Sequence, residues 1–363
     1  MHPISSRPSG GLLPPLGAAL LAAASLAGCC CPRPPARAAP ADSAAAAPPP
    51  VLPVPDAVLA QSDSVTRIQF RNVNFHVAPG LVLGIRRLDG EMRSKTPGQP
   101  VIFDDKRAFV IRIASAEVTL DTASLGHLMN DHVFGYRGAP LRALSFGTKH
   151  GQLVQRGILH KVVDIPFEMT AQVSVTPAGL LRIHPTAMRI CTIPGKGLMD
   201  ALGIELSDLL DLRGARGVRV DHDDLLLDPD QLLPPPSISG RVVAVRVEPG
   251  RLVQIFGGGA NAAIAEAAAA LTPPDSAAPN YMYFRHGTLR FGKLYMVRAD
   301  MQIVDLHPAD PFDFSVDRYN AQLVAGYSKN QPDMGLEVFM PDLGMVDGGL
   351  EAPGARERPR GAP

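Results

Sequence analysis

The sequence predicts an α+β fold, mainly antiparallel β, with a long curled sheet packed on two amphipathic helices. Three observations predict it. Apolar and polar residues alternate with the strand period of two in run after run between residues 65 and 256. The turn pairs Pro79-Gly80, His150-Gly151 and Pro249-Gly250 punctuate those runs. Two segments, near 122–133 and 197–212, instead carry apolar residues at helical spacing.

The chain begins with a segment that belongs to no fold. Residues 11–28 read GLLPPLGAALLAAASLAG, preceded by only His2 and Arg7 as basic side chains. An apolar, Ala-rich core with two prolines and small residues at its end is the pattern of a signal peptide rather than a spanning helix. The run Leu26-Ala27-Gly28-Cys29 resembles the bacterial lipobox. The resemblance implies a diacylglycerol on the Cys29 thiol, cleavage before Cys29, and attachment to a membrane through that lipid. The single arginine departs mildly from the usual signal-peptide start. Because Cys30 rather than Asp follows the anchor, the lipobox resemblance further implies a protein of the cell envelope that faces the periplasm, in the outer rather than the inner membrane. Cys30 and Cys31 adjoin the anchor and cannot easily staple a fold, and Cys191 stands alone, so no disulfide framework is expected.

Residues 29–56 are Pro/Ala-rich and predict an extended tether. A β-rich domain is expected over 57–256. Arg67 to Val77 alternates, and 81–92, 109–113 and 117–120 follow as strands. Asp121 or Thr122 then offers an N-cap, and Leu125, Leu128, Met129 and Val133 share a helical face that should end near Gly135. Residues 141–149, 152–163, 166–175 and 180–190 read as a meander. The second helix, at 197–212, has Leu198, Met199, Leu202 and Leu206 on its stripe. Strands at 218–220 and 225–227 flank an acidic turn. The rigid run 228–236 and a hairpin at 241–256 follow. Residues 257–279 predict a linker or a short Ala helix. Residues 280–345 are a β-rich segment that completes the same sheet or forms a small subdomain, and 346–363 are a Gly/Pro/Arg/Glu tail expected to be disordered.

The element order from Glu117 to Phe256 resembles the LmeA-type family of envelope phospholipid-binding proteins. It rests on Leu120 to Leu125 and their helix, the meander, the helix at 197–212, and Val218-Arg219-Val220. Leu225-Leu226-Leu227-Asp228-Pro229 and 240–247 complete it. The likeness covers about half of the chain, and nothing after Asn280 has a counterpart. It implies a fold similar to the tubular lipid-binding group, a long curled antiparallel sheet wrapped on helices around a groove for acyl chains. It makes Leu125, Leu128, Met129, Leu198, Met199, Leu202 and Leu206 the candidate lipid-contacting residues. Taken singly, each is better explained as packing of a helical stripe on its own sheet.

Composition narrows the function classes. The 35 basic and 35 acidic residues balance, so no global field attracts nucleic acid, and no nucleic-acid partner is expected. Trp is absent and aromatics are 5%, which is a poor supply of stacking platforms. The acidic group Asp221, His222, Asp223, Asp224, Asp228 and Asp230 lacks the glycine and terminal glutamate of a calcium loop, and reads as a solvated turn. The run Asp300, Asp305, His307, Asp310, Asp313, Asp317 is broken by Pro308 and Pro311, and turn chemistry accounts for it without a metal. There is no GxSxG, and Gly257-Gly258-Gly259 lacks the Lys and Ser/Thr of a phosphate loop. His127 and His132 are five apart and do not share a helical face well. No catalytic residue, metal or cofactor is therefore expected. The sequence reads as a membrane-anchored lipoprotein, not an enzyme, that binds or carries phospholipid or another acyl-chain ligand. The alternative is a structural or assembly factor acting through protein contacts, and a third reading is a metal-dependent hydrolase built on the Asp305–Asp317 region.

Overall fold

The computed structural model describes residues 65–160, 164–190, 193–194, 212, 214–258, 261–333 and 335–347. Cys29, the segments expected to form a signal peptide and a tether, and nearly all of the helix expected at 197–212 lie outside the described residues.

β1 (Val65–Ala78) and β2 (Leu81–Ser94) pair antiparallel as the hairpin expected at Pro79-Gly80. Gly80 has φ +70°, and a Cβ there would sit 2.7 Å from the His127 ring. Turn and close approach both require glycine. After β3 (Val101–Ile102), β4 (Phe109–Asp121) pairs with β2. The burial pattern of β4 alternates along most of its length, as a period of two dictates for a strand with one face in the core.

Asp121 ends β4 and caps α1 (Thr122–His127). Its Oδ1 accepts from the Ser124 amide at 2.6 Å, satisfying one of the free N–H groups of the first turn. The helix widens into a π turn over Leu128–Val133. A meander follows: β5 (Leu141–Lys149), β6 (Gln152–His160), β7 (Asp164–Val175) and β8 (Leu181–Ile190), with β9 (Ile193–Pro194) on its edge. His150 and Gly151 both have positive φ, the backbone of the tight hairpin turn expected there. β10 (Val218–Asp221) and β11 (Asp224–Leu227) complete this second sheet, in the order β10-β11-β8-β7-β6-β5.

The chain then returns to the first sheet. α2 (Pro229–Leu232) is capped by Asp228, and β12 (Ser237–Ser239) lies parallel to β4. β13 (Val242–Glu248) and β14 (Arg251–Phe256) form a hairpin whose second strand pairs with β4. α3 (Ala262–Ala269) packs on β1, β2 and β4. It is the Ala helix anticipated within 257–279.

The C-terminal strands complete the same sheet. β15 (Tyr281–Arg285) pairs with β1. β16 (Thr288–Phe291) and β17 (Leu294–Val297) form a small sheet with β3. β18 (Asp300–Asp305) pairs with β15, and β19 (Phe312–Ser315) lies parallel to β1. After α4 (Tyr319–Ala325), β20 (Tyr327–Asn330) and β21 (Leu336–Met340) extend the edge, and α5 (Leu343–Asp347) follows. β17 and β18 are parted at Arg298, whose φ is +55°. An aromatic cluster fastens this region to the first strands. The Phe70 and Phe284 rings lie 5.7 Å apart, Phe75 and Phe314 5.9 Å, and Phe103 and Phe291 5.1 Å. Each such pair adds roughly 0.5–1.5 kcal/mol beyond its buried area.

The mainly antiparallel β class is thus observed, but a sheet packed on two amphipathic helices is not. The apolar face of β1, β2, β4 and β14 looks across a slot at the second sheet, and α1 closes one end. Apart from α1 with its π turn, none of the helices among the described residues exceeds eight residues. The reason is the meander. Its strands carry an apolar face of their own, which covers the first sheet and takes the place assigned to helices.

Candidate functional site: an apolar slot between two sheets

The slot is built from inward positions of both sheets. Phe70, Phe75, Leu83, Ile85 and Leu88 come from the first hairpin, and Ile111, Ile113, Val118 and Leu120 from β4. Opposite them stand Phe146, Leu153, Val173, Leu181, Ile183 and Leu225. α2 supplies Leu232, with Leu233 just beyond it. Gln155, Asp230 and Gln254 are the polar members of a wall that is otherwise apolar.

α1 joins the two walls. The Val82 amide of β2 donates to Ser124 Oγ at 3.2 Å. On the other side, Asn130 Nδ2 donates to the carbonyls of Gly126 and Leu144, and its Oδ1 accepts from the Leu144 amide at 2.8 Å. Leu125, Leu128 and Met129 therefore line the slot at this end, together with Phe134. Leu198, Met199, Leu202 and Leu206 lie outside the described residues. The sequence reading missed the strand residues of the wall. Their alternation was visible, but a period of two says which side chains share a face, not what covers that face.

The walls leave an unfilled volume of about 80 Å³. A buried water occupies about 10–15 Å³ of such space and requires two to four polar partners. A wall this apolar offers few, and cavities of that character stay dry. Pockets for drug-sized ligands run to roughly 300–1,000 Å³. The slot is therefore too narrow for a ring system or a polar headgroup as it stands, and it accommodates a thin hydrocarbon chain only as facing side chains move aside.

Charge sits outside this interior. Asp230 is at the rim, where desolvation raises its carboxyl above the usual range, the Gly240 amide opposes that rise, and the Asp228 charge adds to it. On the second sheet, burial acts to raise the Asp224 carboxyl, but His184 at 2.7 Å and Arg182 at 2.5 Å outweigh it and hold the group low. Asp228 caps α2. The acidic group at 221–230 is thus spent on a cap, a rim and an ion pair, and the described residues form no metal-ligand cluster there.

The second acidic run is divided. Asp300 pairs with Arg285, Asp317 with Lys106, and Asp313 with His76 at 3.2 Å. Asp305 and His307 come together, joined by Asp342, which the sequence did not single out. No helix among the described residues is long and apolar enough to cross a membrane. Comparison with models of protein families, with curated proteins and with solved structures finds no match to the chain.

Proposed function

We propose that the protein holds the hydrocarbon tail of a lipid between its two sheets, as an envelope lipoprotein tethered to a membrane through Cys29. One observation carries the reading: an interior slot whose wall is apolar on every side except for Gln155, Gln254 and Asp230. Each methylene drawn from water into such a wall contributes about 0.8 kcal/mol. The narrow gap favours a single extended chain over a bulky ligand. Asp230 at the rim, and the solvated outer face of the second sheet, leave a polar headgroup outside.

The alternative, an assembly factor acting through protein contacts, has less support. The exposed large apolar residues Val243, Leu294, Val297, Val324 and Tyr327 are spread over β13, β17, α4 and β20 rather than gathered on one element. The edge strand β20 is four residues long and carries Lys329, features that discourage strand addition.

The test uses the exported chain with Cys29→Ser, so that the anchor lipid is not mistaken for cargo. Native mass spectrometry should show a noncovalent acyl lipid, and the delipidated chain should take up a fluorescent fatty acid at one site. Val173→Trp places a large ring on the wall, at about 1–3 kcal/mol of overpacking. It should reduce uptake at least ten-fold with an unchanged circular dichroism spectrum. A chain that carries no lipid and takes none up would refute the reading.

A further inference from the structure

We propose that Asp305, His307 and Asp342 form a binding site for one divalent transition cation, zinc foremost. None of these residues lines the apolar slot, so the inference stands independently of the lipid reading.

The site follows from strand pairing. β18 and β21 run parallel, with Asp305 beside Met340 at their ends. The chain leaves both strands at one level, and two residues beyond each end it presents His307 and Asp342. One ligand atom from each of the three side chains lies within 4.8 Å of the others. Ligands held at about 2.0–2.1 Å from one zinc are at most about 4 Å apart. A small inward movement of side chains therefore closes the shell.

The three side chains by themselves are electrostatically incomplete. Asp305 is only 4% exposed, yet it makes no ion pair among the described residues. Its oxygens accept from the His307 amide at 2.8 Å and from Asn280 Nδ2 at 2.9 Å, neutral donors that leave the negative charge uncompensated. Asp342 Oδ1 accepts from the Asp313 amide at 2.8 Å, and no cationic side chain among the described residues balances it either. Burying carboxylate charge without a counter-charge is costly. His307 supplies the third ligand. His307 Nδ1 is buried and has no hydrogen-bond partner. A buried imidazole nitrogen left unmatched beside two unneutralised carboxylates is completed by a cation that all three ligate. Imidazole with carboxylate oxygen is a zinc donor set, and three protein ligands leave a fourth position for water. The contacts from Asn280 and the Asp313 amide hold the two carboxylates in orientation, the outer-shell role that tunes such sites.

The experiment uses the full-length chain with Cys29, Cys30, Cys31 and Cys191 changed to serine, so that thiolates cannot hold metal. After EDTA treatment and desalting, zinc is titrated at neutral pH by calorimetry, and retained metal is counted by elemental mass spectrometry. The expected result is one zinc per chain, with affinity reduced at least ten-fold in His307→Gln and in Asp305→Asn. The circular dichroism spectra of the EDTA-treated forms should coincide. His307→Gln leaves both carboxylates in place and keeps the test decisive should Asp305→Asn fail to fold. No uptake by the parent chain would overturn the proposal, as would His307→Gln binding zinc as tightly as its parent.

Discussion

Asp230 shows how one residue at the slot rim couples to solution conditions. Desolvation lifts its carboxyl above the ordinary value of about 4. Between that value and the raised one, the folded chain binds more protons than the unfolded chain. The stability this group contributes is therefore full below about pH 4 and is lost as pH rises through the raised value. Asp230→Asn removes the dependence. In urea titrations across that window, wild type should lose stability relative to the variant as pH rises, whereas a constant difference would show that the carboxyl is not desolvated. Residues such as Leu125, Leu128 and Met129 were legible in the sequence because a helical stripe is a local pattern. Asp342 was not. It joins Asp305 and His307 only through the parallel register of β18 with β21, which no short-range spacing encodes.

Among the elements, the strands were legible and their partners less so. β1, β2, β5, β6 and β14 lie close to where alternation and the turn pairs placed them. The pairing of β2 with β4 contains a register shift between Asp89 and Gly90. Gly90 is required by it, because a Cβ there would stand 2.3 Å from the Arg112 carbonyl oxygen. Gly90→Ala must displace backbone against backbone and should cost at least about 2 kcal/mol in chemical denaturation. Gly147→Ala on β5, where the added carbon meets nothing within 4 Å, should change stability by less than about 0.5 kcal/mol. Equal effects at the two positions would contradict this account of the bulge. α1 differed from expectation in form rather than place. Its cap and apolar face were readable, while its widening into a π turn reflects Asn130 reaching β5 at Leu144.

At the scale of the molecule, the fold is two mainly antiparallel sheets facing across an apolar slot, with the C-terminal strands built into the larger sheet. The sequence pattern revealed one solvated and one apolar face per strand, but not that the meander would cover the first sheet. Two half-buried sheets satisfy the same alternation as one sheet packed on helices, and only long-range pairing decides between them. The C-terminal strands were ambiguous for the same reason, since membership in the first sheet depends on the pairing of β15 with β1.

The absence of tryptophan from the chain permits a direct test of what enters the slot. Phe146→Trp places a single indole on the slot wall, and Tyr327→Trp places one on the exposed edge strand β20. Titration with a fatty acid brominated along its chain should quench the indole fluorescence of the Phe146→Trp chain saturably, at about one equivalent for the single slot, and leave that of the Tyr327→Trp chain unchanged. If both indoles respond alike, or neither does, the hydrocarbon does not lie between the sheets.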